Sequence, residues 1–178
     1  MACVLLNVSL VEFGKTIVAI QELHFLYFED LAVGDAWVSP ARTVTESDVV
    51  SFACLSGDFN AIHVDHEFAK ETPFGRPIAH GLLGIAIASG LSSQTPRVAT
   101  LAFLGIHQWS FLEPIFIGDT IHVLTTITAI EPRSRGRRGV VTWHRKLINQ
   151  SGRMVQEGLT RTLVQSKQQA LKSVSVDS

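Results

Sequence analysis

The densest group of polar side chains beside an apolar run is Leu55-Ser56-Gly57-Asp58-Phe59-Asn60-Ala61-Ile62-His63. Asp58 and His63 are five residues apart, and on a loop that spacing lets a carboxylate and an imidazole converge on one bound water. Such a pair is a general acid/base site, in which one group takes a proton while the other holds or returns one. Asn60, between them, can orient a side chain or brace the turn. The same residues also read as plain turn chemistry, with Asp58 and Asn60 in capping hydrogen bonds and His63 an ordinary loop residue. His63-Val64-Asp65-His66 has the residue types of a metal site. Its two histidines straddle a predicted N-cap, however, and no second ligand pair follows, so no metal is expected.

The flanking pattern defines what must hold these groups. Thr45 is a helix N-cap with Asp48 three residues on, and Val49, Phe52 and Ala53 repeat at helical spacing until Gly57 stops the helix. A short second helix is predicted to start after Asp65. A third, from about His80 to Leu91, is apolar nearly all round and must be enclosed by other structure. Leu101 to Leu112, Thr120 to Ile130, Gly139 to Asn149 and Met154 to Val164 are rich in Val, Ile, Thr, Phe and Trp and read as strands joined by hairpin-like links, each pairing antiparallel with the next. Trp37 to Val44 supplies an early strand. The fold class is α+β: one long antiparallel sheet wrapped around a central apolar helix. Alternation on the first long strand assigns Phe103, Gly105, His107, Trp109 and Phe111 to one packed face.

Phe52, Leu55-Ser56-Gly57-Asp58-Phe59-Asn60, Ile62-His63 and Ala69 together resemble the signature of the MaoC-like dehydratases and (R)-specific enoyl-CoA hydratases, a hotdog-fold family. The similarity continues through Arg76-Pro77-Ile78-Ala79-His80-Gly81 and Phe111-Leu112-Glu113-Pro114 to Gly118-Asp119. It departs at Ala61, where the family usually has proline. The resemblance implies a single hotdog domain over 27–166, flanked by an N-terminal extension (1–26) and a polar C-terminal tail (167–178). It implies reversible hydration of trans-2-enoyl-CoA to (R)-3-hydroxyacyl-CoA, with Asp58 and His63 as the catalytic pair. Gly81 would offer its backbone N–H to the thioester oxygen, while Asn60 and Ser89 would contact substrate or shape its site. His80 is expected to be structural, bonded to the catalytic loop. No dissociable cofactor is implied, since CoA is part of the substrate. An acyl-CoA thioesterase and a non-catalytic acyl-binding or assembly subunit are the competing readings. Arg133, Arg135, Arg137 and Arg138 read as a solvated turn, with contact to CoA phosphates as the sharper alternative.

Composition bounds the remaining possibilities. Of 178 residues, 46% are hydrophobic and only 17% charged, below the roughly 25% of an average domain. Fifteen basic residues balance sixteen acidic ones, for a net charge of -1, which excludes the broad positive field of a general nucleic-acid binder. Cys3 and Cys54 form no framework or CxxC pair, and the apolar N-terminus lacks a basic leader segment, so a cytoplasmic, non-secreted protein is expected. Between Pro77 and Leu112 the sole formal charge is Arg97. Interruptions by His80, Gln94 and several serines and glycines argue for a buried helix and strand rather than a membrane hairpin. This charge-poor span also fits an acyl pocket and, by family resemblance, a homodimer or a higher oligomer built from such dimers.

Overall fold

A computed structural model describes residues 8–13, 16–21 and 25–169; Cys3 and the tail beyond Gln169 lie outside them. Within the N-terminal extension, β1 (Val8–Phe13) and β2 (Thr16–Gln21) pair antiparallel. The main sheet contains β3 (Ala36–Val38), β4 (Arg42–Thr43), β5 (Thr100–Phe111), β6 (Thr120–Arg133), β7 (Arg138–Ile148) and β8 (Met154–Gln165). Its order is β3-β6-β7-β8-β5, with β4 also paired to β6. Among the described residues, four α-helices accompany it: α1 (Glu46–Ser56), α2 (Ala61–Val64), α3 (His66–Lys70) and α4 (Gly81–Gln94).

The sheet wraps α4 because one face of each long strand is apolar. Ile121, Val123, Leu147 and Val155 pack with Leu83, Ile87, Ala88 and Leu91 of the helix, all buried. A second cluster, Leu31, Ile127, Val141, Trp143 and Val164, fills the other end of the sheet. Between the two lies a polar band, with Thr125 between Val123 and Ile127 on β6, Arg145 between Trp143 and Leu147 on β7, and Thr160 and Thr162 on β8. The central helix extends three residues past its expected end. The predicted caps of α1 form as expected: the Thr45 hydroxyl accepts from the Asp48 N–H, and Gly57 ends the helix at φ +79°, a left-handed conformation that glycine adopts without strain.

Several expectations need correction. β5 does not pair with β6, the next strand in sequence, but with β8. The link between them is occupied elsewhere: the Ala79 N–H donates to Ile115 O at 2.8 Å, and Ile78 bridges Phe116. The single strand expected from Trp37 to Val44 is split into β3 and β4, because Pro40 has no N–H for the ladder and the Ser39 hydroxyl instead accepts the Val123 N–H at 2.9 Å. The expected one-sided alternation of β5 is broken by three register shifts against β8, and Phe103 and Phe111 are exposed in the single chain. Cys54, set by pattern in an apolar helix, is an exposed free thiol. The arginine-rich link is a 3-10 turn closing the β6–β7 hairpin, and there Arg133 pairs with Glu131 at 2.6 Å while Arg137 and Arg138 bond Ser134.

Candidate active site

The site is assembled where the α1–α2 corner meets the start of α4. Gly57 turns the chain out of α1, and the loop is then knotted by its own side chains. The Asp58 N–H donates to Ser56 Oγ, the Asn60 N–H donates to Asp58 Oδ1 at 3.2 Å, and the Ile62 N–H donates to Asn60 Oδ1 at 3.2 Å. Asn60 is thus the N-cap of α2, and His63 sits in a one-turn helix rather than on the open loop that its spacing suggested. Ala61, the departure from the family pattern, occupies the first helical position.

Two histidines face each other across this corner. The His63 Nδ1–H donates to Ile78 O at 2.7 Å, since a carbonyl can only accept. His80 Nε2 likewise donates to the backbone carbonyl of Asp58 at 2.9 Å, the loop contact expected of it. The two rings stack with centroids 3.8 Å apart and an interplanar angle of 29°, and Phe52 packs on the far side of His80 at 5.0 Å. Ligand-type atoms of Asp58, His63 and His80 all lie within 4.8 Å of one another. Two hydrogen bonds of about 2.8 Å meeting at a tetrahedral angle span roughly 4.6 Å, so one water can bridge a carboxylate and an imidazole so placed. The same three side chains are of metal-ligand type, and each imidazole already donates through one ring nitrogen to a backbone carbonyl, which leaves one nitrogen on each ring.

Gly81, the first residue of α4, completes the corner. As first helical residue its N–H has no acceptor within the helix, and it lies at the positive end of the helix dipole. A cleft of about 350 Å³ opens here, lined by His63, Ile78, Gly81, Phe111, Glu113 and Gln156 among others. A Cβ on Gly81 would sit 2.8 Å from the Phe111 ring, so glycine lets that ring close over the helix start. Gln156 was not singled out in the sequence. Its amide donates to Gly81 O at 3.1 Å and accepts from Trp109 Nε1 at 3.2 Å, tying the helix start to β8 and β5. A buried glutamine at an inward position of a strand was the signal that could have revealed it. Ser89 is not gathered with the others: it is exposed two turns along α4 and lines a separate cleft with Ser92, Phe103 and Arg145.

A sheet wrapped around a central helix, with Asp58 and His63 gathered at that helix's N-terminus, defines a hotdog domain, and comparison with known proteins agrees on the fold. Residues 32–148 match the profile of the MaoC-like domain. The chain belongs to the MaoC-like dehydratase family. It is similar to the (R)-specific enoyl-CoA hydratase of Rhodospirillum rubrum (33% identical, 82% of this chain and 96% of that protein) and to the 3-hydroxybutyryl-CoA dehydratase of Methylorubrum extorquens (37%, 66% and 73%). Against Protein MaoC of Klebsiella aerogenes it is 38% identical over 66% of its own length but spans only 36% of that longer protein. Among solved structures, the MaoC-like dehydratase from Rhodospirillum rubrum superposes with a TM-score of 0.70 at 33% identity, covering 80% of this chain and 98% of that one. A double-hotdog protein from Mycobacterium tuberculosis, 20% identical with a TM-score of 0.71, shares the fold.

Proposed function

We propose that this chain reversibly hydrates trans-2-enoyl-CoA to (R)-3-hydroxyacyl-CoA. The observation that carries the reading is the placement of the Asp58 carboxylate within 4.8 Å of an imidazole nitrogen, beside a cleft lined by His63 and Gly81. With Nδ1–H committed to Ile78, His63 presents Nε2 with a lone pair, so it and the carboxylate form a basic pair for one water. Hydroxyl adds to Cβ and a proton to Cα; between them the two groups take one proton from water and return one to carbon. The enolate oxygen that forms gains charge, and the Gly81 N–H at the positive end of α4 is the matched donor. One such donor contributes about 2.7–4 kcal/mol in acyl-transfer sites. Asn60 acts by capping α2 and so positions His63.

CoA enters as part of the substrate, and no other cofactor or metal is needed for this step. The names of the relatives, an enoyl-CoA hydratase and a 3-hydroxybutyryl-CoA dehydratase, support the reaction class. No helix among the described residues is long and apolar enough to cross a membrane; we place the protein in the cytoplasm, acting as a homodimer. The test is crotonyl-CoA with the purified protein: the conjugated enoyl thioester absorbance should fall with no release of free thiol. Thiol release would make the chain a thioesterase, and an unchanged absorbance with no thiol released would make it a non-catalytic acyl binder.

A further inference from the structure

The cleft that holds Ser89 has an unusual end. It measures about 330 Å³ and lies between the C-terminal half of α4 and the concave face of the sheet, with Phe103, Trp143 and Val98 among its walls. Among the described residues, five buried side-chain polar atoms lack a partner within the protein, and three of them belong to residues lining this one cleft: Ser92 Oγ, Thr125 Oγ1 and Arg145 Nη1. Arg145 donates from Nε to Thr160 Oγ1 at 2.8 Å, its guanidinium carbon lies 6.0 Å from the Trp143 ring, and no ion pair to it is present among the described residues. Glu157, one residue from its ladder partner Gly158, is bonded instead to His144 at 2.9 Å. Burial pushes the Arg145 guanidinium down to about 10. An apolar side chain of similar volume would fill this position at lower cost, so a largely buried cation that lines a cavity and keeps one guanidinium nitrogen without a partner marks a place for an anion.

We infer that this cleft is an acyl pocket closed by a cation, in which Arg145, with the Ser92 and Thr125 hydroxyls, receives a second carboxylate at the far end of a dicarboxylic acyl thioester. The inference rests on the hydratase reading of the Asp58–His63 corner and names its substrate class. A guanidinium fork matches a carboxylate in two parallel hydrogen bonds, and two hydroxyl donors satisfy the remaining lone pairs. The position along the helix is also suitable. The two clefts lie along the seam between α4 and β5, one lined by Gly81 and Phe111 and the other by Ser89 and Phe103. Gly81 and Ser89 are eight residues apart. That is about 12 Å of helix axis, the reach of an extended chain of roughly eight to ten carbons.

The experiment compares trans-2-decenedioyl-CoA with trans-2-decenoyl-CoA, equal in length and differing in the terminal carboxylate. The wild-type protein should show a kcat/KM ratio of at least about 10 in favour of the dicarboxylic thioester, the size of one or two charged hydrogen bonds. Arg145→Met should lower that ratio about 100-fold, and Arg145→Lys should restore part of it. A wild-type ratio at or below one, or a ratio unmoved by Arg145→Met, overturns the inference. If Arg145→Met does not fold, the saturated analogues decide on the wild-type protein: decanedioyl-CoA should bind at least about tenfold more tightly than decanoyl-CoA by calorimetry, and equal affinity overturns the inference. Crotonyl-CoA separates the two readings. Its hydration without a dicarboxylic preference would sink the pocket and keep the catalytic corner, whereas tight decanedioyl-CoA binding without hydration of any thioester would do the reverse. A loss of dimer in Arg145→Met, with no substrate preference in the wild type, would assign Arg145 to a partner subunit's carboxylate instead.

Discussion

His63 donates from Nδ1 to the carbonyl of Ile78 at 2.7 Å, and this bond decides which ring nitrogen is free for chemistry. Ile78 is itself held by its N–H to Ile62 O at 3.2 Å, so the ring is oriented by its own helix through the facing strand segment. His63→Ala should therefore remove both a base and its locked orientation. Hydration of crotonyl-CoA should fall by about 10²–10⁴-fold in kcat/KM, as for other acid/base groups, and Asp58→Asn should fall comparably. Circular dichroism and melting curves verify folding in the same samples. Full activity in either folded variant would defeat the assignment.

Gln156 joins three elements, since its side chain bonds Gly81 O and Trp109 Nε1 while its backbone belongs to β8. Gln156→Leu would leave a part-buried indole N–H without its acceptor. The expected cost is about 1–3 kcal/mol in denaturant unfolding, read as a lower midpoint at unchanged slope. Because Gly81 starts α4, the variant should also lose kcat/KM toward enoyl-CoA, and a stability loss with no kinetic effect would detach Gln156 from the positioning of Gly81.

Much of this corner was legible in the sequence. Thr45, Gly57 and Asp65 signal helix boundaries through local chemistry, and the structure keeps them because caps depend on neighbouring residues. Four long strands follow from their β-branched and aromatic runs. The pairing of β5 with β8 was not legible, since the Glu113–Asp119 link has the composition of a hairpin and its actual use, docking onto Ile78 and Ala79, is a contact over more than thirty residues. Arg145 was missed for a related reason: in a strand that carries His144-Arg145-Lys146 in succession, local pattern does not mark a cation as inward, and only the curl of the sheet around α4 sets Arg145 in the lining of a cleft.

Asp48 ties the α1 N-terminus to β4. Burial works against its charge, but hydrogen bonds from the Thr45 N–H and hydroxyl, both at 2.8 Å, and the Arg42 guanidinium outweigh it and hold the carboxyl below its usual range. A carboxyl lowered in the folded state stabilises the protein fully above its unfolded value of about 3.9, and that contribution disappears as pH falls through the lower folded value. Wild type should therefore exceed Asp48→Asn in urea midpoint at neutral pH, with the gap closing below about pH 4. A gap that stays constant with pH would show that charge at Asp48 has no role.

β5 is the outer strand of the sheet, and Leu101, Phe103, Leu104, Ile106, Phe111 and Leu112 on or beside it are exposed in the single chain. An open edge with apolar side chains invites pairing with another chain, and a second copy offers the matching strand. Light scattering should report a dimer, and Leu104→Glu should shift it toward monomer. A monodisperse wild-type monomer would leave this apolar edge without its partner.

Ala61 stands at the first position of α2, directly after the capping Asn60. A proline there has no intrahelical hydrogen bond to lose, because the N–H of a first helical residue has no acceptor in the helix, and its fixed φ suits a helix start. Proline also restricts the residue before it to extended backbone, and Asn60 already lies there at φ -55°, ψ 132°. Ala61→Pro should therefore stabilise the folded chain by narrowing the unfolded ensemble, by about 0.4–1 kcal/mol, or roughly 1–4 °C for a chain of this size. The same change should keep the Asn60 cap and with it the placement of His63. A lower melting temperature would show that the loop from Asp58 to His63 is pitched differently in this chain than its hydrogen bonds indicate, and that Ala61 is needed where the family usually has proline.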